Sequence, residues 1–283
     1  MQLKHFFMVA ILATVSFALQ AEIQVKSGET ICFLGDSITG YGYRYKGGYV
    51  NLVMSGLKAN GILAKAIPAG VGGNKSNQML SRFEKTLFAK KPNILLLSCG
   101  VNDVWHGQRG IPLPEYKKNI TAIVDKALGA GMKVCLLTPT MIGENPKVAN
   151  NVKLAAYVDF LCQLAKEKKC LIANLNKDMW MAIASFKMSN PNLKGNLVTC
   201  DGVHMNAYGD TIMAVGVLKA LGLNDKQIEK ARASWKNTTV QAGRIELSSD
   251  AILKLAKAAA KNKMSIQDYL QVVVNKLPPE SGR

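Results

Sequence analysis

Histidine is scarce in this 283-residue chain, and acidic residues are outnumbered almost two to one by Lys and Arg. Only three His occur, and just two of them, His106 and His204, follow the first 21 residues. No Cys-x-x-Cys pair is present, and no Cys/His cluster falls at zinc-ligand spacing, so a zinc-organised module is excluded. No internal repeat and no long low-complexity tract appears, which removes solenoid and linker-like architectures. Beyond residue 21 no stretch is long and apolar enough to span a bilayer. No Gly-x-Ser-x-Gly elbow occurs either. What remains is a chain with 48% hydrophobic residues, ample for one sizeable core but not for two full domains.

The first 21 residues read as a signal peptide. Lys4 and His5 form a short basic start, Phe6 to Leu19 is apolar apart from Thr14 and Ser16, and cleavage is expected near Ala21. The competing reading is a retained anchor, against which the apolar run is short. The mature protein is therefore expected outside the cytoplasm, without stable membrane insertion. Its formal charge is +17, or +16 once Lys4 is removed. Nucleic-acid binding is one meaning of such basicity. Export and the scattered lysines favour a solvated basic surface, with attraction to acidic glycans or anionic lipids as the functional alternative. Six cysteines in an exported chain raise disulfides. Cys32, Cys99 and Cys135, however, sit in apolar runs where Cys behaves as a small buried hydrophobe.

Apolar runs alternate with amphipathic stretches. Strands are expected at Ile31–Leu34, Leu63–Ile67 (ended by Pro68), Ile94–Cys99, Lys133–Thr138 and Leu171–Ala173. Helices are expected at Tyr49–Asn60, Gln78–Phe88, Pro114–Leu128, Val148–Lys168 and Asn206–Leu221. Strands joined by helices imply parallel pairing and right-handed crossovers. The expected fold is α/β: a three-layer α/β/α sandwich on a mostly parallel five-stranded sheet, spanning 22–222. Residues 223–283 carry only helical patterns and read as a C-terminal helical extension, packed on the core or loosely tethered.

In such a sheet, ligands bind beyond the carboxyl ends of the strands. Chemically capable residues gather there. Gly35-Asp36-Ser37 follows the first strand; alone, its serine reads more readily as a helix cap than as a nucleophile. Ala69-Gly70-Val71-Gly72-Gly73-Asn74 follows the second, where glycine lets a backbone N–H approach a site. Gly100-Val101-Asn102-Asp103 follows the third, and an Asn amide suits a developing oxyanion. Asp201-Gly202-Val203-His204 places a carboxylate where it can reach one ring nitrogen and leave the other free to take a proton. Asp36 and Asp103 also suggest a carboxylate pair for a metal or for glycoside chemistry. Trp105, His106 and Arg109, and likewise Tyr41, Tyr43, Arg44 and Tyr45, are placed to rim a cleft.

Taken in order, these blocks resemble the SGNH/GDSL hydrolases, over roughly Ile31 to Leu221. Gly35-Asp36-Ser37-Ile38-Thr39 is similar to the first block of the bacterial exported branch. The resemblance implies Ser37 as nucleophile, His204 as general base and then acid, and Asp201 as its orienter. It implies an oxyanion hole from the Ser37 N–H, the Gly73 N–H and the Asn102 side chain. Gly73 is chosen over Gly70 and Gly72 because it precedes a polar residue. The family reading makes Asp36 and Asp103 structural and needs no metal or cofactor. The expected activity is hydrolysis of small acyl esters, acetyl above all, on carbohydrate. The alternatives are a lysophospholipase or thioesterase on the same scaffold, and a non-catalytic glycan-binding protein. The sequence carries no signal of oligomeric state.

Overall fold

The computed structural model describes residues 22–189, 195–236, 249–264 and 266–276. The expected signal segment lies outside them. Five strands form one sheet: β1 (Thr30–Gly35), β2 (Lys65–Gly70), β3 (Ile94–Ser98), β4 (Lys133–Leu137) and β5 (Leu171–Ala173). Their spatial order is β2-β1-β3-β4-β5 and every pairing is parallel. Parallel strands need crossovers, and helices supply them. These are α1 (Ser37–Arg44), α2 (Tyr49–Ala59), α3 (Ser76–Arg82), α4 (Val101–Trp105), α5 (Leu113–Gly129) and α6 (Ala149–Lys168), and α7 (Leu175–Ser189) follows the last strand. Then follow α8 (Ala207–Ala220) and α9 (Asp225–Trp235), and, further on, α10 (Ser249–Lys261) and α11 (Ile266–Asn275). One layer holds α2, α8 and α9 in mutual contact; α3, α5 and α6 form the other. The α/β/α sandwich with a five-stranded sheet is therefore as expected, and the sheet is wholly parallel.

The central strands explain their own sequences. Ile31 to Leu34 and Ile94 to Leu97 are all buried. A strand covered on both faces reads as an unbroken apolar run rather than an alternating one. Truncating such a residue, Leu96→Ala for instance, costs about 2–5 kcal/mol through lost transfer energy and the cavity left behind. Cys32 and Cys135 are buried strand residues of this core, and all six cysteines are free thiols.

Several boundaries differ from expectation. Pro68 does not end β2 but lies inside it, opposite Phe33. The strand is at the sheet edge, where only one side must donate to a ladder, so proline is tolerated. The helix expected from Gln78 begins at Ser76, because the Gln78 side chain turns back to accept the Lys75 N–H at 3.1 Å. That helix loosens at Phe83–Leu87 into a π-helical turn. The helix α7 was not anticipated. Leu175, Met179 and Ile183 are its buried positions, but Met181, Phe186 and Met188 on its exposed side mask that spacing.

The chain divides into two units, 1–241 and 242–283. The first includes α9, beyond Gly222. The Trp235 indole there donates to the Leu52 carbonyl at 3.1 Å and to Ser55 Oγ at 3.0 Å. In the second unit, α10 and α11 pack on each other. No helix among the described residues is long and apolar enough to cross a membrane.

The topology locates the site. From β1 the chain moves outward to β2, then returns past β1 to β3 and continues the opposite way. The reversal leaves a crevice between the ends of β1 and β3, where an open parallel sheet binds ligands.

Candidate active site

Ser37 opens α1 directly after β1. Asp36 caps that helix, its Oδ1 accepting the Ile38 N–H at 2.9 Å. A carboxylate there satisfies an orphan donor and complements the helix dipole. Asp36 is only 2% exposed. Burial pushes its carboxyl up to about 6, against the pull of the Ile38 N–H and of nearby His204. Asp36 is thus occupied in holding the turn that presents Ser37.

His204 lies on the loop ahead of α8. Its Nε2 is 2.9 Å from Ser37 Oγ, and its Nδ1 is 2.7 Å from Asp201 Oδ2. The other Asp201 oxygen accepts the N–H groups of Val203 at 3.0 Å and His204 at 2.8 Å. One carboxylate therefore both folds the loop and aims the ring. Gly202 makes this turn at φ 93°, a left-handed conformation that disfavours side chains. Burial raises the Asp201 carboxyl, but bonds from the His204 ring, the His204 N–H and the Val203 N–H outweigh it and hold it below the ordinary range. A hydroxyl bonded to an imidazole whose far nitrogen is held by a carboxylate is the arrangement for moving a serine proton.

Asn102 stands in the first turn of α4, after β3, and is 3% exposed. Its Nδ2 donates at 3.2 Å both to Asp36 Oδ2 and to the Asn74 carbonyl. The 71–74 segment is a tight turn closed by the Asn74 N–H on the Val71 carbonyl at 3.2 Å. Gly73 occupies its third place at φ 72°, where turns of this kind take glycine. The glycine directly beside the serine is Gly72: a Cβ built on it lies 4.0 Å from Ser37 Cβ. Gly73 comes next in the turn, with open space before it. Four chain segments, each following a different strand or preceding α8, thus converge on Ser37.

Asp103 points away from this chemistry. It is buried and accepts the Ser76 N–H at 3.0 Å, while the Cys99 thiol approaches it at 3.5 Å. Burial raises its carboxyl despite those bonds. Cys99 is buried and Cys200 exposed, and neither is bridged. Around the base, the Tyr41 ring packs against the His204 ring with centroids 5.1 Å apart. Tyr45 follows at 5.5 Å, and the Arg44 guanidinium sits 5.6 Å over Tyr41. Trp105 is exposed and packs beside His106. Burial lowers the His106 pKa, helped by the positive charges of Lys75 and Arg109. Among the described residues no three His, Cys, Asp or Glu side chains are grouped to hold a metal ion.

Two supporting residues escape sequence reading. The Arg82 guanidinium donates to Asn74 Oδ1 at 2.7 Å and to the carbonyls of Ala69 and Gly35 at 3.1 Å each. It thereby ties the ends of β1 and β2 to the 71–74 turn. In sequence it is one more cation of a basic chain. Glu144, on the loop after β4, is the other; its bonds are described below.

With this geometry in view, four similarities bear on the chain. Residues 33–212 match the model of the GDSL-like lipase/acylhydrolase family. An acetylxylan esterase from Geobacillus stearothermophilus is 26% identical over 219 residues, which is 71% of this chain and 97% of that enzyme. The crystal structure of an acetyl xylan esterase superimposes with a TM-score of 0.62 at 32% identity, covering 68% of this chain and 98% of the other. Esterase TesA from Pseudomonas aeruginosa is 30% identical over 131 residues, 46% of this chain and 64% of its own.

Proposed function

Since the chain belongs to the GDSL-like lipase/acylhydrolase family and is a carboxylic ester hydrolase of the SGNH type, we propose that it removes acetyl groups from carbohydrate through Ser37, His204 and Asp201. The observation that carries this reading is the continuous relay Ser37–His204–Asp201, at 2.9 and 2.7 Å, in the crevice between β1 and β3. The acetyl and carbohydrate parts rest on the two acetylxylan esterases. Crystal structures of the Geobacillus enzyme include variants described as catalytic mutants, with a serine, an aspartate and a histidine each replaced by alanine.

In the proposed mechanism Ser37 Oγ attacks the ester carbonyl carbon while its proton passes to His204 Nε2. Asp201 stabilises the imidazolium and keeps the ring oriented. The carbonyl oxygen becomes an oxyanion facing the N–H groups of Ser37 and Gly73 and the Asn102 amide, which exchanges one of its two present acceptors for it. The C–O bond then breaks, His204 returns the proton to the leaving sugar hydroxyl, and acetyl-Ser37 remains. Water, deprotonated by His204, repeats the sequence and releases acetate. Asp36 serves as cap and as the partner that parks Asn102. The basic start and apolar run of residues 1–21 support export to where glycans are found.

Purified protein should hydrolyse aryl acetates and release acetate from acetylated xylan, prefer acetyl over octanoyl esters, and label at Ser37 with a fluorophosphonate. Ser37→Ala activity equal to wild type would end the triad reading. A strong octanoyl preference would transfer the protein to the lysophospholipase or thioesterase alternative.

A further inference from the structure

The loop carrying Asp201 and His204 has no regular secondary structure, so something else must hold its shape. Glu144 does much of this from 53 residues upstream. Its Oε2 accepts the Leu197 N–H at 2.6 Å, and its Oε1 accepts the Val198 N–H at 2.9 Å and the Thr199 N–H at 2.8 Å. The Thr199 hydroxyl donates to the same Oε1 at 2.6 Å and accepts the Gly202 N–H at 3.2 Å. One carboxylate thus gathers four donors, and its grip passes through Thr199 to the residue between Asp201 and Val203. The Gly143 N–H adds a bond to the Gly202 carbonyl at 2.6 Å.

Glu144 is itself anchored. Asn151, in the first turn of α6, donates to the carbonyls of Ile142, Gly143 and Asn145 at 3.0, 2.9 and 2.8 Å, and accepts the Ile142 N–H at 2.8 Å. Glu144 is 9% exposed, so these bonds face little competition from water. Only an ionised carboxylate offers acceptors on both oxygens; an amide presents an NH2 to N–H groups and cannot satisfy them. The need for a glutamate here is therefore chemical as well as steric.

Resting on the triad reading above, we infer that Glu144 is a positioning residue for the esterase, setting the distance from His204 to Ser37 without touching either. Reaction rates fall steeply when a base is misplaced by about 1 Å. The effect should therefore appear in kcat and only through His204.

The test is a double-mutant cycle on aryl acetate hydrolysis. Glu144→Gln should lower kcat tenfold or more with KM within threefold of wild type. In a His204→Ala background, whose residual rate is measurable on an activated ester, the same change should alter the rate by less than twofold. Thr199→Val removes only the hydroxyl link and should show a smaller loss with the same pattern; it decides the matter alone if Glu144→Gln does not fold. An unchanged kcat, an equal loss in both backgrounds, or a KM rise that accounts for the loss overturns the inference. If wild type is no more active than Ser37→Ala, the triad reading falls and takes this inference with it. An active wild type with an unaffected Glu144→Gln sinks this inference alone.

Discussion

The Asn102 amide reaches across from the end of β3 to the Asp36 carboxylate at the end of β1, 3.2 Å away, with both side chains buried. The donor assigned to the oxyanion is thereby held in place before substrate arrives. Preorganised donors of this kind are worth about 10²–10³ in rate. Asn102→Ala should lower kcat by roughly that factor, with KM little changed. A kcat within threefold of wild type on aryl acetate would remove Asn102 from the oxyanion hole.

Asp201 is predicted to matter less for folding than for rate. Its side chain is 52% exposed, so its bond to the His204 ring contributes little to stability. Its value lies in fixing the tautomer and ring. Asp201→Asn should leave the unfolding temperature close to wild type while lowering kcat by about 10²–10⁴. Its depressed pKa keeps it ionised through mildly acidic pH. The carboxylate that holds the His204 ring is therefore neutralised only as pH falls through that lowered value.

Asp210 should make the protein less stable as pH rises. This α8 carboxylate accepts the Tyr49 N–H at 2.8 Å, yet burial still pushes it up to about 7. With a folded pKa above the unfolded one, the unfolded chain ionises first. The folded state therefore loses ground between about pH 4 and 7 and changes little above that. A shift of that size corresponds to at most about 4 kcal/mol. Asp210→Asn keeps an acceptor for Tyr49 and should be more stable than wild type at pH 8 but not at pH 4.5. Urea unfolding at both values checks it; parallel curves for the two proteins would contradict the assignment.

Arg82 is expected to link stability to rate. Arg82→Lys keeps the charge but cannot serve Asn74, Ala69 and Gly35 together. We expect a loss of about 1–3 kcal/mol in stability. The rate should fall severalfold at a temperature where the variant remains folded, because the 71–74 turn and the Ser37 turn lose their common tie. Denaturant unfolding and kcat on aryl acetate measure the two effects.

Much of this was readable from residues alone. Ile31 to Leu34 and Ile94 to Leu97 read as buried strands, because apolar runs this short and stopped by glycine are too brief for a helix. Asp201 and His204 were legible because their contact is local, three residues apart and closed by Gly202. The Ser37 end of the relay was legible only from its place after a strand together with Asn102, the Gly73 region and the Asp201–His204 pair. What stayed hidden depends on long-range approach. The approach of the Val71–Asn74 turn to Ser37, with a Cβ built on Gly72 lying 4.0 Å from the serine Cβ, is set by folding and not by spacing along the chain. Arg82 and Glu144 looked like ordinary surface charges until folding put carbonyls around one and N–H groups around the other.

The sequence by itself therefore determined the layer architecture and pointed to the candidate reacting groups. Periodicity, punctuation and local spacing are properties of neighbours along the chain. Tertiary structure alone decided that Ser37 and His204, 167 positions apart, stand 2.9 Å from one another. It also decided which buried polar groups hold them there, since a buried carboxylate or guanidinium is satisfied only by the partners that folding delivers.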